Sequence, residues 1–319
     1  MGKIDDIQAY KEWTEYHRSL KRDKAADNLS PVERKKKLEK LEANVIEWIL
    51  FFFSEFAKYP FTKFHKKAIK RITTNMEWYE VLSWSRELAK STIVFMCMMY
   101  LVLTGKKKNV LLISNSHENA VRLLEPYKKA FESNSMLKAY YGDLREFGSW
   151  TADEFTLTTG ATFRAIGALE SPRGTRKDAV RPDTALVDDF DTDADCRNPD
   201  ILKKKWEWFE EALFPTRSIS EDLLVIFCGN LIALDCCVKR AGDKADHWDI
   251  VNIRDKDGKS SWPEKNTEER INRIQSKIST KAFQQEYMNN PLSEGDTFKE
   301  MVLSLIHISE PTRLRRISY

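Results

Sequence analysis

Apolar residues fall along this chain in short blocks whose period changes. Residues 32–56 carry apolar positions at helical spacing, behind a start signal at Ser30-Pro31-Val32-Glu33. There serine serves as cap, proline takes the first helical position and glutamate the third. Trp78–Trp84, Asn109–Ser114, 184–187 and 223–228 are short apolar runs, the mark of strands buried on both faces. Between them 89–103 reads as a buried helix, 118–132 as an amphipathic helix and 200–213 as a third. Segments 155–157 and 162–166 flank Thr159-Gly160, a hairpin signal. From 240 to 265 the pattern turns polar, and 267–277 and 280–288 are predicted helices that stop at Asn289-Asn290-Pro291. Strands alternating with helices predict an α/β fold, a mostly parallel sheet flanked by helices, with an N-terminal helical extension.

The pattern divides the chain into a basic, helical extension (1–54), an α/β core (55–239) and a helical subdomain and linker (240–302). Residues 303–319 read LSLIHISEPTRLRRISY. That string resembles the translation of a sequencing-library adaptor and is set apart from the fold, with the natural reading frame expected to continue past Val302.

Composition narrows the class. Of 319 residues 42% are apolar and 32% charged, which excludes a disordered, collagen-like or coiled-coil chain. No apolar run reaches the roughly 18–20 residues of a membrane span, so no membrane partner is expected. Lysine and arginine number 52 against 49 acids, a net charge of +3 that neither demands nor excludes nucleic acid. The basic triplets 35–37, 106–108 and 203–205 are either solvated surface or contacts to a DNA backbone. Five cysteines without a CxxC pair read as reduced thiols with neither metal nor disulfide framework.

The chemistry lies at strand ends. Ser85-Arg86-Glu87-Leu88-Ala89-Lys90-Ser91-Thr92 follows one apolar strand and opens an apolar helix, the setting of a phosphate-binding loop. Lys90 is placed to reach phosphate oxygens and Ser91 to ligate Mg²⁺. Trp84 and Ala89 occupy the places of the two glycines in the usual signature, and alanine fits there with a negative φ. Thr184-Ala185-Leu186-Val187 ends in paired acids, Asp188 for the metal and Asp189 for the attacking water, with Asp191 as a substitute for Asp189. Val225-Ile226-Phe227-Cys228 ends in Gly229-Asn230, whose amide can bond a γ-phosphate or the water. An arginine stabilises the charge that builds on the γ-phosphate, and Arg86 and Arg173 are the candidates. Each segment also has a plainer reading, as a capped helix, an acidic turn and a Gly-Asn turn.

In their order these motifs resemble the ATPase half of the large terminase subunit of tailed double-stranded DNA viruses. SRELAKST matches the family's phosphate loop (Walker A) except at Ala89. TALVDD matches its Walker B strand, with Asp189 in place of the commoner glutamate, and Cys228-Gly229-Asn230 loosely matches its coupling motif. The resemblance spans residues 55–300. It implies an additional-strand P-loop ATPase that uses ATP and Mg²⁺ to translocate double-stranded viral DNA into a procapsid. Asn230 would couple hydrolysis to movement, and Phe61 and His65 would face the adenine. Partners would be duplex DNA, a portal protein, a small terminase subunit and further copies in a ring, in the host cytoplasm. The family's nuclease domain would begin beyond this chain, so no cutting is expected of it. A helicase-like ATPase and a degenerate P-loop protein that binds nucleotide or DNA are the alternatives.

Overall fold

The computed structural model describes residues 29–172 and 181–292. The N-terminal helices are α1 (Pro31–Glu42), α2 (Val45–Phe52) and α3 (Lys63–Thr74). The core runs β1 (Trp78–Trp84), α4 (Lys90–Leu103), β2 (Asn109–Ser114), α5 (His117–Ser133), α6 (Ser135–Tyr141), β3 (Arg145–Trp150), β4 (Glu154–Leu157), β5 (Thr162–Gly167) and β6 (Thr184–Asp188). It continues through α7 (Asp193–Cys196), α8 (Pro199–Glu207), β7 (Leu224–Cys228), α9 (Cys237–Gly242) and β8 (His247–Val251), and ends with α10 (Glu268–Gln275) and α11 (Thr280–Met288).

One sheet has the order β3-β4-β5-β2-β6-β7-β1-β8. The six strands from β5 to β8 are parallel, and β3 and β4 join antiparallel at one edge. The period of two along each strand divides the core. Leu82, Leu112, Ile226 and Cys228 point into one layer with α4, α5 and the N-terminal helices. Val81, Leu111, Ile113, Val225 and Phe227 point into the other, with Trp206, Phe209 and Val238. Both faces are covered, which is why these strands read as continuous apolar runs. Residues 93–102 of α4 are all buried, between the sheet and the aromatic shelf of Trp48, Phe52 and Phe53.

Three expectations are corrected. The single helix over 32–56 is two, because Asn44 accepts from the N–H groups of Ile46 and Glu47 and caps a new start. The helix at 200–213 loses its α geometry at Trp208, where a π-helical turn runs to Leu213. The sheet does not end before 240: β8 pairs with β1 from Glu80↔His247 to Trp84↔Val251, so the core extends past the boundary expected at 239. Part of the extension (1–28) and all of 303–319 lie outside the described residues. No helix among the described residues is long and apolar enough to cross a membrane.

The basic triplets are not uniform surface. Lys107 and Lys205 are each only 2% exposed. Lys107 Nζ donates to the carbonyls of Met76, Asp183 and Asp222, at 2.9, 3.0 and 3.0 Å. Those residues lead into β1, β6 and β7, so one ammonium gathers three strand entries at the amino end of the sheet. Neither triplet presents three lysines to solvent.

Candidate nucleotide-binding site

The parallel register brings the carboxyl ends of β1, β6 and β7 side by side, Leu82 and Asp188 both opposite Cys228. Ligands bind at such ends in open α/β sheets. A cavity of about 570 Å³ opens there, lined among others by Ser85, Arg86, Glu87, Ala89, Lys90, Ser91, Thr92, Asp189 and Asn230.

Two contacts join the three motifs. Lys90 Nζ donates to Asn230 Oδ1 at 3.1 Å, and Ser91 Oγ donates to Asp188 Oδ2 at 2.5 Å. The other Asp188 oxygen accepts from the Asp189 N–H at 3.1 Å. Asp188 is buried, and burial pushes its carboxyl up; Lys90 opposes this and the charge of Asp189 adds to it. A cation beside this oxygen would relieve the same penalty. A serine hydroxyl and one carboxylate are hard oxygen donors that suit Mg²⁺, which takes its remaining ligands from phosphate and water. Among the described residues no group of three His, Cys, Asp or Glu side chains forms a closed metal cage.

Asp189 and Asp191 separate by environment. Asp189 lies in the left-handed region (φ +47°), and its side chain is exposed at the cavity. Asp191 Oδ2 instead accepts from the N–H of Val238 at 2.9 Å, near the start of α9. Asp191 also lines the cavity, and its Oδ1 is buried without a hydrogen-bond partner. Gly229 is required by the same packing, since a Cβ there would lie 2.3 Å from Val238 Cγ2.

The loop itself departs from expectation. Ala89 has φ +59°, not a negative value, and Glu87 has φ +70°. Four of the five non-glycine residues at positive φ among the described residues are Glu87, Ala89, Asp189 and Asn289, at or beside this cavity. Such strain persists where surrounding contacts over-determine it. Here the contacts come from the end of the described chain. The Glu87 carbonyl accepts from Lys265 Nζ at 2.7 Å and from Asn266 Nδ2 at 3.2 Å. The Arg86 N–H donates to the Glu286 carbonyl at 3.1 Å, and its guanidinium pairs with the Glu286 carboxylate. Ala89→Gly should therefore stabilise the chain. Relief of the left-handed penalty, about 1–2 kcal/mol, outweighs the added freedom of the unfolded glycine, about 0.5–1 kcal/mol. A rise in the urea midpoint checks it, and a fall would mean that the loop is not left-handed at 89.

Phe61 and His65 do not line the cavity. His65 is fully buried behind the loop. Its Nδ1 accepts from the Thr62 N–H at 3.2 Å, so Nε2 carries the proton and donates to the Leu88 carbonyl at 3.0 Å. Burial lowers its pKa to about 4, which keeps the ring neutral. Phe61 packs partly buried against the core and 6.0 Å from the His65 ring. His65 braces the loop at Leu88, and Phe61 packs against His65. Arg173 lies outside the described residues.

Three contributors carry no signature. Lys265 and Glu286 line the cavity from 178 and 200 residues beyond their partners Glu87 and Arg86. Lys205 sits under the acid loop, donating to the Phe190 carbonyl and to Asp195 Oδ2, with its Nζ 4.5 Å from the Phe190 ring centroid.

A loop after β1, paired acids after β6 and an extra strand, β7, between those two define the additional-strand class of P-loop NTPase folds. Solved structures similar to this chain include large terminases. To the HK97 bacteriophage large terminase the TM-score is 0.48 at 14% identity, over 73% of this chain and 51% of that one. To the ATPase domain of the Thermus phage P74-26 large terminase it is 0.45 at 16% identity, over 75% and 97%. A point mutant of that domain gives 0.44 at 16%, over 75% and 98%. The chain thus spans about half the length of the HK97 protein. No family model and no curated protein matches the sequence.

Proposed function

We propose that this chain is the ATP-hydrolysing motor part of a viral DNA-packaging terminase. The observation that carries the reading is the meeting of Lys90 with Asn230 and of Ser91 with Asp188 at one cavity. The order of the motifs along the chain, which resembles that family, supplies the DNA-packaging part. Lys90 and the loop's N–H groups bind the phosphates of ATP, with Ser85, Arg86, Glu87, Leu88, Ala89 and Thr92 shaping the cradle. Ser91 and Asp188 hold Mg²⁺, which supplies charge neutralisation at the phosphates. Asp189 orients and accepts a proton from the attacking water. Arg86, once released from Glu286, or Arg173 stabilises the transition state, and Asn230 passes the state of the γ-phosphate to the segment it also touches at the Glu286 carbonyl. Duplex DNA, a portal protein, a small terminase subunit and ring neighbours are the proposed partners, in the host cytoplasm. No nuclease residues are assigned.

The test is ATP hydrolysis by the full chain with Mg²⁺ or EDTA, with and without duplex DNA. Hydrolysis that needs Mg²⁺ and rises with DNA is expected. ATP binding without hydrolysis would favour the second reading, a nucleotide-binding scaffold, to which the alanine at 89 and the shorter acid at 189 already lean. A folded chain that binds no ATP would sink both.

A further inference from the structure

Helix α3 carries Lys63, Lys66, Lys67 and Lys70 at spacings of three and four, all exposed, while His65, Ala68, Ile69 and Ile72 are buried on its other side. The four ammonium groups therefore form one stripe, about 10 Å long at 1.5 Å per residue. The helix holds no acid, and its remaining cation, Arg71, is taken by Glu80 and Asp249. Among the described residues none of the four lysines makes an ion pair.

Two local rules are broken together on this helix. Like charges at these spacings destabilise a helix. On helices that carry acids, several cations pair with one a turn away: Arg122 with Glu118, Lys129 with Glu125, Lys203 with Glu207, Lys239 with Asp243. Cations are also unfavourable at a helix amino end, yet the first turn of α3 holds lysines and no acid. A row of uncompensated charge is explained by a polyanion that compensates it. The chain's own undescribed ends do not supply one: residues 1–28 carry six acids and six basic side chains, and 293–319 carry four of each.

We infer that α3 is a docking surface for the phosphate backbone of duplex DNA. Its lysine spacing of about 5–6 Å lets flexible side chains follow successive phosphates along a strand. The stripe presents no exposed aromatic ring on which a single strand would stack. Lys63 begins the stripe two residues before His65, which bonds the phosphate loop at Leu88, so DNA on α3 lies one buried contact from the nucleotide site. The inference deepens the DNA-motor reading, and its test is run without nucleotide, so a failure of ATP hydrolysis leaves it standing.

The test is fluorescence anisotropy of a labelled duplex against salt concentration, with the full chain. The variant replaces Lys63, Lys66, Lys67 and Lys70 by glutamine, and Lys203→Gln with Lys204→Gln is the control; circular dichroism checks that both fold. The quadruple variant should bind at least about tenfold more weakly at 50 mM salt, and its log–log salt slope should shrink by about 3–4, while the control stays near wild type. Unchanged affinity and slope in the quadruple variant would overturn the assignment. So would an equal loss per charge in the control, a preference for single-stranded DNA, or binding of poly-glutamate but not of duplex, which would mark α3 as a surface for an acidic protein.

Discussion

Asp189→Asn is expected to lower the hydrolysis rate by about 10²–10⁴-fold while leaving ATP affinity within a few-fold of wild type. Lys90→Ala is expected to do the reverse first, weakening ATP by about 10–100-fold, the value of a charge-assisted contact to phosphate. The difference follows from what each side chain touches. Lys90 spans the cavity to Asn230, so its ammonium already lies where phosphate oxygens would replace the amide. Asp189 makes no contact with the Ser91–Asp188 pair through its carboxylate; only its N–H does, and an amide side chain preserves that bond. Asparagine keeps the size and φ preference of aspartate but cannot accept a proton from water at neutral pH. Asp191→Asn is the discriminating control. Asp191 holds the start of α9 through Val238, and an amide oxygen still accepts that bond, so Asp191→Asn should leave both the urea midpoint and the rate near wild type. Single-turnover rates beside equilibrium nucleotide binding separate the three variants. If Asp191→Asn lost more rate than Asp189→Asn at equal stability, the assignment of the water to Asp189 would be wrong.

How much of this was legible in the sequence depended on burial. β2, β6 and β7 announce themselves because strands covered on both faces carry near-continuous apolar runs between their ends. β8 gives no such signal: His247-Trp248-Asp249-Ile250-Val251 lies at the sheet edge, half exposed, and its polar members serve Arg71 and Ser83. β3 is hidden for the same reason, an edge strand with Phe147 fully exposed. The site divides similarly. Lys90, Ser91, Asp188 and Asn230 sit at strand ends, where local pattern and chemistry coincide. The clamps on Glu87 and Arg86 come from a segment that shares no local pattern with the loop, and only the fold brings them together. His65 misled because an aromatic-histidine segment before the loop has two uses, facing a base or bracing the loop, and only burial tells them apart.

The largest stability effect is expected far from this site, at Lys107. Nothing in Lys106-Lys107-Lys108 distinguishes the middle residue, yet Lys106 and Lys108 are exposed while Lys107 is buried. Burial lowers its pKa, and the charges of Asp183, Asp222 and Glu77 counter that, so the ammonium is kept by its surroundings. Replacing it by methionine fills nearly the same volume but leaves the carbonyls of Met76, Asp183 and Asp222 without their donor. It also removes the cation among Asp183, Asp222 and Glu77. Removing one partner of a buried charged set typically costs about 3–5 kcal/mol, against less than about 0.5 kcal/mol for an exposed lysine. Lys107→Met should thus lose several kcal/mol in urea unfolding, and Lys108→Met should lose almost nothing. The loss should also be cooperative with the strand entries: amide exchange at residues 78 and 184 should speed up together with that at 224, since one ammonium ties all three. Equal midpoints for the two methionine variants would mean that the three carbonyls find water instead, and that the amino end of the sheet is open rather than pinned.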